Sequence, residues 1–504
     1  MLARLSALFL LSCSWLPARA GEDEWFFPLG PPPKAAPQRI SGGESFPPLP
    51  LPATPLRRSE RKREPSPPKL VGKVIWGESA TFEYEGGTKT DIADWNLCPA
   101  DLQELLAKVR QSPLEAAYGF ETVDLATFHG DPERLPVLFL SGTRTLRFTP
   151  EQAALLKAYA MKGGTILADN VAGSPFFDAS VRTLAAAAFP GEALRPVPAD
   201  HPLLHVIYDV VKVSCPKKAD IVAPALEGIY VGCRFALLYS RYGLGCGWDN
   251  REVPFIKKAV YYDVDSASRL GVNLIAYALG YAQVGREEAA PELYGSLEAR
   301  APTDEFVFAQ IVHDGAWNAH PGAAGSLLRR LRRDTSLRVS LKRVGVLPGR
   351  DDLSAFPFLY LTGLDHFEFS DPARAALRDF LAASGTLLVN NALGLSAFDG
   401  AARSEIEKIA PGRKLEEIPA DHPIYRGAFN ITRSDYLPGA NPPDGTPTRP
   451  YLLGVRVAGE FRVIYSPLDL EAGWGGCEHP LCRGFAPASA QELGVNLVLY
   501  AMTH

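Results

Sequence analysis

The pentapeptide PADHP stands at residues 198–202 and again at 419–423, 221 residues later, and the text around both copies repeats with it. At the same offset LPVLFLSGT (135–143) aligns with FPFLYLTGL (356–364), Gly164-Thr165 with Gly385-Thr386, Asn170 with Asn391, Phe177-Asp178 with Phe398-Asp399, and Arg182 with Arg403. Beyond PADHP the offset widens to 226, where FALLYS (235–240) meets FRVIYS (461–466) and Gly247-Trp248 meets Gly473-Trp474. It settles at 223, where LGVNLIAYAL (270–279) meets LGVNLVLYAM (493–502). Offsets that change only between blocks are those of loops varying around a retained core. The chain is therefore a tandem duplication, with a first module over 75–283, an inter-module linker over 284–301 and a second module over 302–504. With 504 residues, 46% of them hydrophobic, it can fill two cores.

Each module reads as α/β. An apolar run (Val137 to Leu140; Phe358 to Leu361) ends in a small-residue turn. A helix follows from Pro150 to Met161, or from Pro372 to Ala383, with Thr149 or Ser370 as its N-cap. Gly163-Gly164 or Ser384-Gly385 stops it, and TILAD (165–169) or TLLVN (386–390) is the next buried strand. Strand, helix and strand in that order call for a right-handed crossover and a mainly parallel sheet. FALLYS or FRVIYS adds a late strand, and SASRLGVNLIAYALGYA (266–282) or SAQELGVNLVLYAM (489–502) a closing helix. The predicted architecture is a doubly wound, flavodoxin-like module, twice.

The N-terminus reads differently. Residues 1–20, MLARLSALFLLSCSWLPARA, have a basic residue, an apolar stretch and an Ala-Arg-Ala ending, the layout of an export signal cleaved before Gly21. The alternative is a lipoprotein box with Cys13 as the anchored residue. Residues 21–74, dense in proline and carrying the basic run RRSERKRE (57–64), read as an extended linker. Six cysteines remain after Cys13, and an even number in an exported chain favours disulfides. Cys477 and Cys482, closing a short loop, are the predicted pair; a zinc site with His479 lacks a fourth local ligand. A net charge of −5 gives no general attraction to nucleic acid or anionic lipid, and no segment after the leader matches a membrane span.

Taken in order, the small-Gly turn, the Gly-Gly helix end, the Phe-Asp/Arg pair, Asp-His-Pro, the Tyr-Ser strand, the Gly-Trp turn and the Gly-Val-Asn-Leu helix resemble the domain-of-unknown-function family 4159. FVFAQIVHDGAWN (306–318) is similar to that family's opening. DHPIYRGAFNITRSDYL (421–437) is similar to a segment of the trehalose-utilisation-like proteins, within the class I glutamine amidotransferase-like fold group. This second resemblance implies a fold and carries no activity. Many members of the first family have an acidic pair and a cysteine after the second strand. This chain has ADNVAG (168–173) and VNNALG (389–394), and none of the mature cysteines stands on a strand-to-helix elbow with a partnered histidine. Amidotransferase chemistry is not expected.

Ligands of open α/β sheets bind beyond the carboxyl ends of the strands. That rule selects Ser141, Gly142 and Thr143, then Asp169, Asn170, Tyr239 and Ser240, in the first module. In the second it selects Thr362, Gly363, Asp365, His366, Asn390, Asn391, Tyr465, Ser466 and Asp469. His366, Asp421, His422 and Asp469 are the candidate acid/base residues, the Asp-His pairs alternatively serving as turns before proline. Trp248 and Trp474, in Gly-rich loops, are candidate sugar-stacking platforms or, equally, packing residues. No phosphate loop, cofactor motif or metal cluster is read. The expected function is an exported, non-catalytic binding or scaffolding protein whose packed modules offer a glycan or envelope protein a shared cleft. The alternatives are a hydrolase with its site in the second module and a purely structural docking protein.

Overall fold

The computed structural model describes residues 21, 25–26, 67–77, 79–83, 89–250, 256–287, 305–440, 450–476, 478 and 481–504. The leader with Cys13, the basic run at 57–64, Cys477 and His479 lie outside the described residues.

The first module is a seven-stranded sheet in the order β4 (Gly119–Asp124), β1 (Lys69–Ile75), β5 (Val137–Gly142), β6 (Thr165–Asn170), β9 (Arg234–Ser240), β8 (Leu226–Val231), β7 (Arg195–Pro196). Strands β4 to β9 in that row pair in parallel, and β8 and β7 add an antiparallel edge. A separate hairpin pairs β2 (Ser79–Glu83) with β3 (Lys89–Ala93). The second module repeats the sheet as β11 (Val344–Val346), β10 (Ala309–Ile311), β12 (Phe358–Gly363), β13 (Thr386–Asn391), β16 (Glu460–Ser466), β15 (Leu453–Val457), β14 (Glu416–Glu417). The five parallel strands follow the flavodoxin order, 2-1-3-4-5 in each module.

Ten helices cover the sheets among the described residues: α1 (Asp101–Gln111), α2 (Pro150–Met161), α3 (Pro175–Ala188), α4 (Gly245–Asp249), α5 (Val264–Glu287), α6 (Ala323–Asp334), α7 (Asp371–Ala382), α8 (Ser396–Ile409), α9 (Glu471–Trp474) and α10 (Pro487–Thr503). Local sequence explains their starts. Thr149 and Gln152 form a reciprocal capping box at α2, and Ser370 caps α7 through the Ala373 N–H.

Two boundaries differ from the sequence reading. β1 lies inside the stretch read as linker, because KLVGKVI is buried from Leu70 to Val74 although proline-rich text precedes it. α5 runs past residue 283 to Glu287, since Gly285 does not end the helix. A Cβ there would stand 2.6 Å from the Arg234 side chain and 2.9 Å from the Gly163 Cα, so its glycine serves close packing.

The modules pack head to tail. The amino edge of the first sheet, including the turn between β8 and β9, meets the carboxyl end of the second. Arg195 pairs with Asp365 at 3.0 Å and donates to the Asp314 carbonyl. Asp200 accepts from the Ser396 N–H at 2.8 Å and faces Arg483 at 3.4 Å. Cys233 and Tyr281 of the first module join Leu364, Leu393, Leu395 and Cys482 of the second in one buried cluster. Among the described residues no helix is long and apolar enough to cross a membrane.

Candidate functional site at the module junction

The crevice between the first and third parallel strands, where a doubly wound fold ordinarily takes its ligand, is filled by protein in both modules. In the first, the Trp76 indole donates to the Ser141 carbonyl at 2.8 Å. The Asp94 carboxylate accepts from the backbone N–H groups of Thr143 and Arg144. A Cβ on Gly142 would meet Trp76 at 2.1 Å. In the second, Gly315 takes this place, its carbonyl accepting from the Leu364 and Asp365 N–H groups at 3.1 Å. A Cβ on Gly363 would lie 2.6 Å from the Gly315 carbonyl and 2.9 Å from His313. Both glycines therefore permit a close backbone approach. His313 accepts from the Gly315 N–H through Nδ1 and meets the Thr362 carbonyl through Nε2, and burial pushes its pKa down to about 4. It is a neutral packing histidine.

The next position along the second sheet holds the polar cluster. Asp469, just beyond β16, is fully buried and receives four kinds of partner: the Asn390 amide at 3.1 Å, the N–H groups of Leu393 and Glu471, the Cys482 thiol at 3.5 Å, and His320 Nε2 at 3.0 Å. His320 precedes α6 and is 3% exposed. Burial disfavours the imidazolium, but Cys233, hydrogen-bonded to it from the first module, and the Asp469 carboxylate carry its pKa well above 6.5. Burial likewise opposes the Asp469 anion, and is overcome by His320, the Leu393 N–H and Asn390, which hold it at about 2. Glu471 and Tyr360 close the cluster, and burial lifts the Glu471 carboxyl to about 7. Beside it Arg343 donates to Gln310, in the middle of β10, and to Asn318 at 2.8 Å.

Sequence reasoning selected Asp469, Asn390 and Thr362, which this cluster brings together; the Thr362 hydroxyl accepts from Asn390 at 3.2 Å. It did not select His320, Glu471 or Cys233. Cys233 meets a histidine, but from a β-turn in the other module and not from the strand-to-helix elbow that amidotransferase chemistry would need.

The remaining candidates lie elsewhere. His366 is exposed, and Asp421 is exposed. His422 caps a 3-10 turn over Pro423–Tyr425 by accepting from the Ile424 N–H, and packs on Phe461 and Tyr500. Phe461 begins β16 and Asp469 follows its end, so His422 and Asp469 are about a strand's length apart, roughly 20 Å. Tyr465 donates to Asp399, Ser466 to the Leu468 carbonyl, and Asn391 to the Pro467 carbonyl at 3.3 Å. In the first module Asp169 accepts from the Leu244 and Gly245 N–H groups and Asn170 ties down Ser174. Trp248 and Trp474 are buried, their indoles donating to the Ala267 and Ala490 carbonyls at 2.7 and 3.0 Å, so neither presents a face to a sugar. Cys482 is buried and in no disulfide among the described residues, as are Cys98, Cys215, Cys233 and Cys246.

Solvent reaches the carboxyl ends of the second sheet beside the junction, in an open cleft of about 440 Å³ lined by His313, Asp314, Arg350, Glu368 and Ser370 among others. Over the first module's carboxyl end lie Trp25 and Phe26. Phe26 is 5% exposed, with the Arg144 guanidinium 4.3 Å from its ring centre, and the Lys257 backbone N–H donates to the Trp25 carbonyl at 2.8 Å.

Comparison with curated proteins finds no match. The family model described as a domain of unknown function, DUF4159, matches residues 86–279 and again 307–502, one match within each module. The chain belongs to the DUF4159 family and carries two copies of its domain.

Proposed function

We propose that the chain is a non-catalytic binding or scaffolding protein, exported through its N-terminal leader, whose ligand is a protein or glycan of the cell envelope. The observation that carries this reading is the sealing of the His320–Asp469 pair: the two residues are 3% and 0% exposed and covered by the first module. A general acid or base has to reach its substrate directly or through one water. Here the imidazole spends its hydrogen bonds on Asp469 within its own module and on Cys233 across the junction. The loss of both tryptophans to the cores shifts the balance from glycan toward protein, and the open cleft at Arg350 and Glu368 is the surface on offer.

The hydrolase reading draws on one observation, a thiol, an imidazole and a carboxylate in sequence across the junction. Assay of the full chain against chromogenic glycoside and amide substrates, beside His320→Gln, separates the two. The binding reading expects no turnover and a lower thermal midpoint for the variant. Turnover by the parent chain that His320→Gln abolishes overturns it.

A further inference from the structure

Cys98 and Cys246 come from different elements of the first module, 148 residues apart in sequence, and their sulfurs stand 3.6 Å from each other. Cys98 lies just before α1 and Cys246 within α4, each at most 2% exposed, in a small cluster with Leu97 and Val171. The duplication shows what this contact stands for. WNLCP (95–99) aligns with WNAHP (317–321), so Cys98 occupies the place of His320. The match of Gly247-Trp248 with Gly473-Trp474 sets Cys246 opposite Ala472, three residues after Asp469. In the second module these same two corners, before the long helix and around the short one, are tied by the His320–Asp469 contact at 3.0 Å. The first module has neither partner of that pair and has two thiols instead.

We propose that Cys98 and Cys246 are joined by a disulfide in the functional protein, as the first module's covalent counterpart of the His320–Asp469 tie. Each thiol gives up a proton and an electron, one S–S bond forms, and an oxidant of the disulfide class is reduced to two thiols. The sulfurs close from 3.6 Å to about 2.05 Å, within reach of side-chain rotation. The bond would link the ends of a long loop, the case in which a cross-link most restricts the unfolded chain. Its burial shields it from attacking thiolates, the property of a structural bond rather than of an exchanging one.

The test treats the full chain with oxidised glutathione at pH 8, in sub-denaturing urea so that the buried thiols are sampled. Free thiols are then alkylated and the peptides mapped without reduction. The expected result is a linked peptide pair containing Cys98 and Cys246. A thermal midpoint raised by roughly 5–15 °C over the reduced protein should accompany it, and the rise should be absent in Cys246→Ala. Recovery of Cys98 and Cys246 as separately alkylated peptides, or linked to other cysteines, overturns the proposal. Because the map is read on the parent chain, a variant that fails to fold does not obscure the outcome.

Discussion

Glu471 opens α9 with both carboxyl oxygens buried beside the Tyr360 hydroxyl. Burial therefore raises its pKa from the ordinary 4.5 to about 7. A carboxyl whose folded pKa lies above its unfolded one contributes stability that is complete below the unfolded value and is lost as pH rises through the folded value. The window here is pH 4.5 to about 7. Asp169, lifted from 3.8 to about 7 by burial, acts in the same direction, and so does His320, whose raised pKa makes its contribution fade on the alkaline side. Asp469, held at about 2, contributes nothing to the slope above pH 5, and His313, pushed down to about 4, offsets part of the fall only below pH 6.5. The thermal midpoint is thus expected to fall from pH 5 to pH 8. Glu471→Gln keeps the shape and removes the titration, so it should reduce the accompanying loss of stability by on the order of 1–3 kcal/mol. A parent chain equally stable at both pH values, or a variant with the parent's slope, would refute the assignment.

At the scale of elements, the repeated PADHP is a corner. His201 accepts from the Leu203 N–H and packs on Phe235 and Tyr277, as His422 does on Ile424, Phe461 and Tyr500. The repeated Asn of Gly-Val-Asn-Leu secures the same corner, Asn273 bonding both backbone groups of Tyr208 and Asn496 both of Phe429. The copies differ in depth, His201 being fully buried and His422 half-buried. Removing His201→Ala should cost roughly 2–4 kcal/mol and His422→Ala about 1–2, read as shifts in urea midpoint. Equal costs would show that burial does not set the difference. These strands and corners were legible in the sequence because period, caps and glycine stops are local signals repeated twice. The site was legible only in part. Asp469 follows a strand and could be nominated by rule, whereas His320 is a single histidine before a proline whose carboxylate lies 149 residues away and whose thiol belongs to the other module. Trp248 and Trp474 stayed open between platform and packing because a tryptophan after a glycine reads alike whether the glycine makes a loop or makes room; Gly247 and Gly473 make room, a Cβ on each meeting Ala267 or Ala490 at 2.4 Å.

For the whole molecule, a duplicated domain usually offers the same patch to itself across a two-fold axis, but here unlike surfaces meet. The first sheet's amino edge is used and the second's is not: Arg195 and Cys233 are covered, while Glu416, aligned with Arg195, and the turn at Ala458-Gly459 are exposed. A head-to-tail contact does not close on itself, and in this chain the other end of the stack is covered by Phe26, seated on Arg144, the residue aligned with Asp365. The Arg195–Asp365 pair, each side chain 21% exposed, thus reports on the docking of one module on the next. Arg195→Glu puts a carboxylate against Asp365 and the Asp314 carbonyl and should weaken docking by roughly 1–3 kcal/mol. Limited proteolysis is the readout, because undocking uncovers the junction surface around Cys233 and Leu393 while each module, with its own core, resists. Cleavage there should speed up in Arg195→Glu and return toward the parent rate when Asp365→Arg is added. Faster cleavage that the second change does not reverse would mean that the substitution damaged the first module itself, and unchanged cleavage would mean that the buried cluster around Cys233, His320 and Asp469 holds the modules without the rim pair.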